Sequence, residues 1–108
     1  MADTLERLEA VIAQRLTADP SSSYVASLGA RGQDQILKKV AEEAVETVIA
    51  SKSMDNGQVV REVADLWFHC MVMLGWHGVK LSEVMDELER REGRSGLDEK
   101  ASRTKGNP

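Results

Sequence analysis

Hydrophobic side chains recur at helical spacing along most of this chain, and polar breaks divide the pattern into segments. The first segment predicts a helix over residues 4–18, and Asp3 followed by Glu6 resembles a capping box at its start. Pro20 and the three serines after it oppose continuation of this helix. Residues 24–32 fit either a short helix or an ordered loop.

The second segment predicts a helix over residues 33–52, which a turn around Asn56 and Gly57 follows. At about 100° per residue its apolar side chains fall on one broad face. That face consists of Leu37, Val40, Ala41, Ala44, Val45 and Val48.

The third segment, residues 58–76, is apolar around most of its circumference, a distribution typical of a buried helix. Four short helices of one chain cannot surround it, so we expect a second subunit to cover part of it. Gly75 and Gly78 predict a turn, after which Ser82 caps a fourth helix that extends to Glu92. The pattern predicts an all-α domain over residues 1–92, followed by a polar, basic tail over residues 93–108 that favours disorder.

Composition narrows the class of protein. The 108 residues are enough for one domain, and a net charge of −4 gives no general attraction for nucleic acid. The one cysteine fits a reducing compartment, and no apolar run is long enough to cross a membrane. The N-terminus lacks the features of a signal peptide. We therefore expect a cytoplasmic protein without a nucleic-acid or membrane partner.

Two pairs of carboxylates are the strongest chemical signal. Glu43 and Glu46 are three residues apart in the second helix, and Glu62 and Asp65 repeat that spacing in the third. Residues three apart are neighbours on a helix surface, so each pair directs two carboxylates the same way. Two such helices packed side by side bring together oxygen ligands suited to Mg²⁺.

Each pair also has a plainer interpretation. The first pair fits a solvated helix face with Lys38–Glu42 and Lys39–Glu43 ion pairs. The second pair lies in a helix that is apolar nearly all round, where few other charges occur, which makes that interpretation harder to apply. His69 follows Asp65 by one turn and is either its partner or an ordinary core histidine.

The sequence gives little support for a reactive cysteine, a phosphate loop, a zinc site or covalent catalysis. Cys70 lies among apolar neighbours and is expected to be a buried structural thiol. The sequence has no glycine-rich phosphate loop, no zinc ligand set and no arrangement typical of covalent catalysis. Metal-assisted chemistry is what remains.

Several motifs together resemble the phosphoribosyl-ATP pyrophosphohydrolase family. They are Ser23-Tyr24-Val25-Ala26-Ser27-Leu28, then Lys38-Lys39-Val40-Ala41-Glu42-Glu43-Ala44-Val45-Glu46, then Glu62-Val63-Ala64-Asp65-Leu66-Trp67-Phe68-His69 and the closing run from Glu89 to Lys100. The resemblance covers roughly residues 5–103. The ExxE and ExxD signature of the wider MazG-like all-α NTP pyrophosphatases is also met.

The resemblance implies a four- to five-helix MazG-like bundle that dimerisation completes. It implies Mg²⁺-assisted hydrolysis of phosphoribosyl-ATP to phosphoribosyl-AMP and pyrophosphate, the second step of L-histidine biosynthesis, by the stand-alone form of the enzyme. Glu43, Glu46, Glu62 and Asp65 are then the catalytic metal ligands, and one of them, or Glu42, takes the proton of the attacking water. Lys38 and Lys39, about one turn before the carboxylates, are expected phosphate contacts, although Lys38 also fits a plain surface charge. The matched tail segment adds Arg91, Arg94, Ser95 and Lys100 as substrate contacts, with a solvated disordered tail as the alternative. Tyr24 is near the site by resemblance, and on composition alone it is an ordinary half-buried tyrosine.

Two alternatives stay open at this point. A house-cleaning pyrophosphatase that acts on ordinary or damaged nucleoside triphosphates would share the metal site and differ in the base pocket and tail. A non-enzymatic helical dimerisation module would carry the acidic residues incidentally. Hydrolysis of phosphoribosyl-ATP compared with nucleoside triphosphates, together with Mg²⁺ titration, distinguishes these cases.

Overall fold

The computed structural model describes residues 2–92, with side chains from Thr4 onward. Within that range all the regular structure is helical, which confirms the predicted fold class. The five helices are α1 (Ala2–Arg15), α2 (Tyr24–Arg31), α3 (Gln33–Lys52), α4 (Asn56–His77) and α5 (Leu81–Arg91). The predicted tail, residues 93–108, lies outside the described residues.

The ambiguous stretch after Pro20 forms α2. Ser23 is its N-cap, and Ser23 Oγ accepts a hydrogen bond of 3.0 Å from the backbone amide of Ala26. Gly32, with a φ of 96°, both ends α2 and begins α3. A positive φ of this size is unfavourable for residues with a Cβ. Glycine adopts it readily, and the chain therefore turns from α2 directly into α3. Tyr24 thereby lies at the start of α2, next to the long helices.

Several predicted helix boundaries were wrong. Helix α1 already includes Asp3, the predicted cap position, and it ends at Arg15 rather than at residue 18. Gly75 lies inside α4, whose C-cap is Gly78 with a left-handed φ of 68°. Helix α5 begins at Leu81 rather than after Ser82, because the Lys80 amide donates to Glu83 Oε2 over 2.9 Å.

The two longest helices, α3 and α4, pack side by side as an antiparallel hairpin. A short connection joins them. At its end Asp55 caps α4, and its Oδ1 accepts a 3.1 Å hydrogen bond from the amide of Gln58. Helices α1 and α2 cover one end of the hairpin. The buried cluster at that end consists of Ile12, Val25, Leu28, Ile36, Met71 and Val72. The hairpin therefore extends beyond the apolar core, and its middle carries the carboxylates.

The buried residues of α3 are Ile36, Glu43 and Ala50. They do not belong to its broad apolar face, most of which is exposed, with Val45 and Val48 exposed by 59% and 62%. A periodic apolar stripe identifies a face that needs covering, but not whether the same chain covers it. Here the side of α3 that contacts α4 includes a carboxylate.

Helix α4 is likewise uncovered along part of its length. Val60 and Trp67 are exposed by 68% and 54%, and Ala64 lies between them on the same face. Among residues 2–92, no helix has both the length and the hydropathy needed to span a membrane.

Candidate functional site

Three of the four predicted carboxylates converge where α3 crosses the middle of α4. Glu43, Glu62 and Asp65 each offer an oxygen, and these oxygens all lie within 4.8 Å of one another. Glu62 and Asp65 are one turn apart on α4, and Glu43 is the α3 residue directed between the helices. The spacing of three in α4 and the antiparallel packing of the hairpin together produce this arrangement.

The cluster is partly enclosed. Glu43 and Glu62 are buried, with 6% and 8% exposure, whereas Asp65 is exposed. Oε2 of Glu43 is buried and has no hydrogen-bond partner among the described residues. A carboxylate oxygen that has lost water without gaining a donor is costly, so this atom points to a missing positive group.

Glu46 lies at the edge of the cluster and is exposed. It affects both buried glutamates, since its carboxyl group bonds to their protonated forms and repels their ionised forms. The hydrogen bond with Glu46, followed by burial and by the charges of Glu46, Glu43 and Asp65, raises the pKa of Glu62 to about 7. Burial, and then Glu46, raises the pKa of Glu43 as well.

Lys39 provides positive charge at the edge of the cluster. Its Nζ lies 3.6 Å from an oxygen of Glu42 and 3.6 Å from Oε1 of Glu43. The Lys39–Glu43 ion pair is thus confirmed, but Glu42 pairs with Lys39 rather than with Lys38. Lys38 is exposed on the next face of α3. One lysine does not balance the charge of four neighbouring carboxylates.

Tyr24 and His69 form a second polar group beside the carboxylates. The hydroxyl of Tyr24 lies 2.8 Å from Nε2 of His69, and Nδ1 of His69 lies 2.9 Å from the backbone oxygen of Asp65. His69 is therefore a satisfied buried histidine, and its contact with Asp65 is to the backbone rather than to the carboxylate. Nothing in the sequence indicated the pairing with Tyr24, because the two residues are far apart in the chain.

The remaining candidates lie elsewhere. Arg91 is in the last turn of α5, where its Nε is 3.4 Å from Glu87. Arg94, Ser95 and Lys100 lie outside the described residues. Cys70 is half-buried, and burial raises the pKa of its thiol, as expected for a structural cysteine.

The donor set fits a hard divalent cation. Mg²⁺ prefers carboxylate oxygens and binds only a few of them, keeping other positions for water or phosphate. Three convergent carboxylate oxygens meet that requirement, Oε2 of Glu43 in the same cluster is without a partner, and the exposed side at Asp65 leaves access for a ligand. Such a cluster is able to hold a cation against a polyphosphate.

Comparison of the sequence with known proteins identifies relatives of this chain. The chain is 57% identical to "Phosphoribosyl-ATP pyrophosphatase" of Nitrosospira multiformis over 104 residues, which are 96% of this chain and 86% of that protein. It is 59% identical to the protein of the same name from Chromobacterium violaceum, over 94% of both chains. The protein of that name from Neisseria gonorrhoeae is 56% identical over 93% of this chain and 94% of its own.

The family comparison covers the same region of the chain. Residues 5–92 match the Phosphoribosyl-ATP pyrophosphohydrolase family, so the matched segment begins in α1, extends through the carboxylate cluster and ends after α5. This chain therefore belongs to the phosphoribosyl-ATP pyrophosphohydrolase family.

Proposed function

We propose that this protein hydrolyses phosphoribosyl-ATP to phosphoribosyl-AMP and pyrophosphate, the second step of L-histidine biosynthesis. Family membership over residues 5–92 supports the reaction. The observation that carries its chemistry is the convergence of oxygens of Glu43, Glu62 and Asp65 within 4.8 Å of one another, in a cluster where Oε2 of Glu43 is buried without a partner. In the reaction a water oxygen bonds to phosphorus, the bridging bond between the α- and β-phosphates breaks, and pyrophosphate leaves.

The metal ligands in this proposal are Glu43, Glu46, Glu62 and Asp65, and the cation is Mg²⁺. When bound, Mg²⁺ neutralises phosphate charge and lowers the pKa of a coordinated water. The chain's own residues position that centre: α3 supplies the first pair of carboxylates and α4 the second. One of these carboxylates, or Glu42, accepts the proton that the attacking water loses.

The substrate phosphates require cations that the cluster lacks. Lys39 is the nearest, since it already contacts Glu43, and Lys38 lies beside it on the exposed face of α3. We assign both to the polyphosphate. Arg91 together with Arg94, Ser95 and Lys100 is assigned to the phosphoribosyl group, because these residues lie in the closing segment that resembles the family.

We also propose that the protein acts as a homodimer in the cytoplasm. The exposed apolar stripes on α3 and α4 are costly to leave in water, and a second copy of the same hairpin offers matching apolar surface. The single cysteine and a nucleotide substrate are consistent with a cytoplasmic enzyme.

The decisive experiment measures pyrophosphate release from phosphoribosyl-ATP with Mg²⁺ and with excess chelator. We expect turnover only with the metal. Glu62→Gln and Asp65→Asn should each reduce kcat by roughly 100-fold or more, because each removes a ligand charge while keeping the shape of the side chain. Glu6→Gln, an exposed change on α1, is the matched control and should retain full activity.

A panel of nucleoside triphosphates belongs in the same assay. Hydrolysis of those nucleotides without turnover of phosphoribosyl-ATP would replace our proposal with a house-cleaning activity. A protein that hydrolyses neither and binds no Mg²⁺ would be a helical module without this enzymatic function.

A further inference from the structure

The contact between Tyr24 and His69 joins α2 to the metal-binding stretch of α4. Its two hydrogen bonds run in series, from the Tyr24 hydroxyl to His69 Nε2 over 2.8 Å and from His69 Nδ1 to the Asp65 backbone oxygen over 2.9 Å. The ring of His69 is 5% exposed, so these two partners replace the water that its nitrogens would otherwise bind.

The direction of both hydrogen bonds follows from the chemistry of the partners. A carbonyl oxygen only accepts, so Nδ1 of His69 carries the proton. In the neutral ring Nε2 then has a lone pair and no hydrogen, and it accepts the proton of the Tyr24 hydroxyl. The only hydrogen of that hydroxyl is thereby committed to His69, and its free lone pairs are left for another group.

The Tyr24 hydroxyl belongs to the same electrostatic environment as the carboxylate cluster. Burial is the main cause that raises the pKa of Tyr24 above its usual value. The charge of Lys39 lowers this pKa, and those of Glu43 and Asp65 raise it. The side chain is 49% exposed, and its ring lies 6.2 Å from that of Phe68 at an angle of 23°. The tyrosine is therefore half-exposed, with its ring against Phe68, and close enough to the cluster for these charges to act on it.

We propose that Tyr24 is a substrate-contacting hydrogen-bond acceptor and that His69 is the positioning residue that makes it one. This inference rests on the proposed function. A hydroxyl in this state receives a hydrogen bond from an O–H or N–H group and repels a phosphate oxygen, which has no hydrogen to give. Its partner is thus a hydroxyl or amino group of the nucleotide, or a cation-bound water, rather than the polyphosphate itself.

The test uses the full-length protein with Mg²⁺ and phosphoribosyl-ATP. Tyr24→Phe removes the hydroxyl and keeps the ring, and we expect kcat/KM to fall about tenfold with little change in Tm. His69→Gln places an amide oxygen near the position of Nε2, whereas the shorter side chain of His69→Asn ends near that of Nδ1. Glutamine should therefore retain most of the activity, and asparagine should reduce it as far as Tyr24→Phe does.

The double variant Tyr24→Phe with His69→Asn should be no worse than either single variant, since both remove the same interaction. Mg²⁺ titrations of Tyr24→Phe then show whether the group that donates a hydrogen bond to Tyr24 belongs to the nucleotide or is a cation-bound water. A raised KM with unchanged half-saturation by Mg²⁺ indicates a group on the nucleotide. A raised half-saturation by Mg²⁺ indicates a cation-bound water.

If the wild-type protein is active, three results would overturn the inference. They are full activity of Tyr24→Phe, equal activity of the two His69 variants, and losses that follow Tm rather than the position of the acceptor. An inactive wild-type protein would instead overturn the proposed function, and this inference with it.

Discussion

Nζ of Lys39 lies 3.6 Å from Oε1 of Glu43, one turn along the same helix, while Oε2 of Glu43 is buried without a hydrogen-bond partner. The lysine thus compensates one side of the carboxylate and leaves the other side open. Among the described residues it is the positive charge that forms an ion pair with Glu43.

We expect Lys39→Met to destabilise the protein by about 1 kcal/mol in chelator, because a mostly buried carboxylate loses its partner while the lysine itself is partly exposed. Mg²⁺ should restore more stability to this variant than to the wild type. Thermal denaturation with chelator and with Mg²⁺ measures both effects. Lys38→Met is the matched stability control, since Lys38 is exposed and has no ion pair with Glu42. Equal losses in the two variants would contradict the prediction.

The pKa of Glu62 predicts how the metal-free protein responds to pH. The hydrogen bond with Glu46, followed by burial, raises this pKa from 4.5 to about 7. Below pH 4.5 the carboxyl group is protonated whether the chain is folded or unfolded. As pH rises from 4.5 to about 7 the unfolded chain ionises freely and the folded one resists, so stability falls across this window.

Urea unfolding in chelator at several pH values measures this decline. Glu62→Gln keeps a neutral side chain at every pH, so its advantage over the wild type should grow from about pH 4.5 to about pH 7 and then level off. Glu6→Gln should follow the wild-type profile. A constant difference between Glu62→Gln and wild type would show that folding does not raise the pKa of Glu62.

Metal binding should release protons for the same reason. At pH 6.5 a carboxyl group with a pKa of about 7 is largely protonated, and a Mg²⁺ ligand must be ionised. Calorimetric titrations with Mg²⁺ in two buffers of different ionisation enthalpy should therefore give different heats at about pH 6.5. The difference should vanish at about pH 8.5. Equal heats at the lower pH would mean that the metal binds without displacing a proton from Glu62.

Local patterns predicted most of the fold. The bounds of α3 were correct because its apolar spacing and the turn after it agree, and α4 differed only at its ends. The start of α5 was wrong because a serine is a common N-cap, yet here Glu83 bonds to the amide of Lys80 instead. Sequence alone does not decide between two such competing caps.

The candidate site was predictable to the extent that it depends on spacing along a helix. Glu62 and Asp65 point the same way because they are three residues apart, and the hairpin brings Glu43 to them. The link between Tyr24 and His69 depends on how α2 docks against α4, and no local pattern encodes that. The apolar stripe of α3 was visible in the sequence, but its exposure required knowledge of which side α4 occupies.

That exposed stripe leads to a prediction about assembly. Val48 is 62% exposed on α3, and Leu88 is 53% exposed on α5, so the two residues are comparably accessible in one chain. Burying an aspartate in an apolar interface is costly, and we expect Val48→Asp to convert the proposed dimer to a monomer. Leu88→Asp is the matched control and should leave it intact. Light scattering coupled to gel filtration gives the mass. Dissociation by Leu88→Asp alone would place the interface on α5.

The packing of α1 against its neighbours requires two small residues. A Cβ on Gly29 would clash with the backbone oxygen of Leu16, and a Cβ on Gly75 would lie 2.8 Å from Cδ1 of the same leucine. A backbone atom moves only if the whole segment shifts, whereas the end of a leucine side chain rotates more easily. An added methyl group should therefore be tolerated less well at Gly29 of α2 than at Gly75 of α4.

We expect Gly29→Ala to destabilise the protein by about 1–3 kcal/mol or more through this backbone clash. Gly75→Ala should cost less, because Leu16 can change rotamer. Gly57 is the control, since a Cβ there meets no atom closer than 3.5 Å and the residue lies in the first turn of α4. Gly57→Ala should be neutral or stabilise by up to about 1 kcal/mol. Chemical denaturation of the three variants measures the order, and a Gly29→Ala variant as stable as Gly57→Ala would mean that α2 does not lie this close to the end of α1.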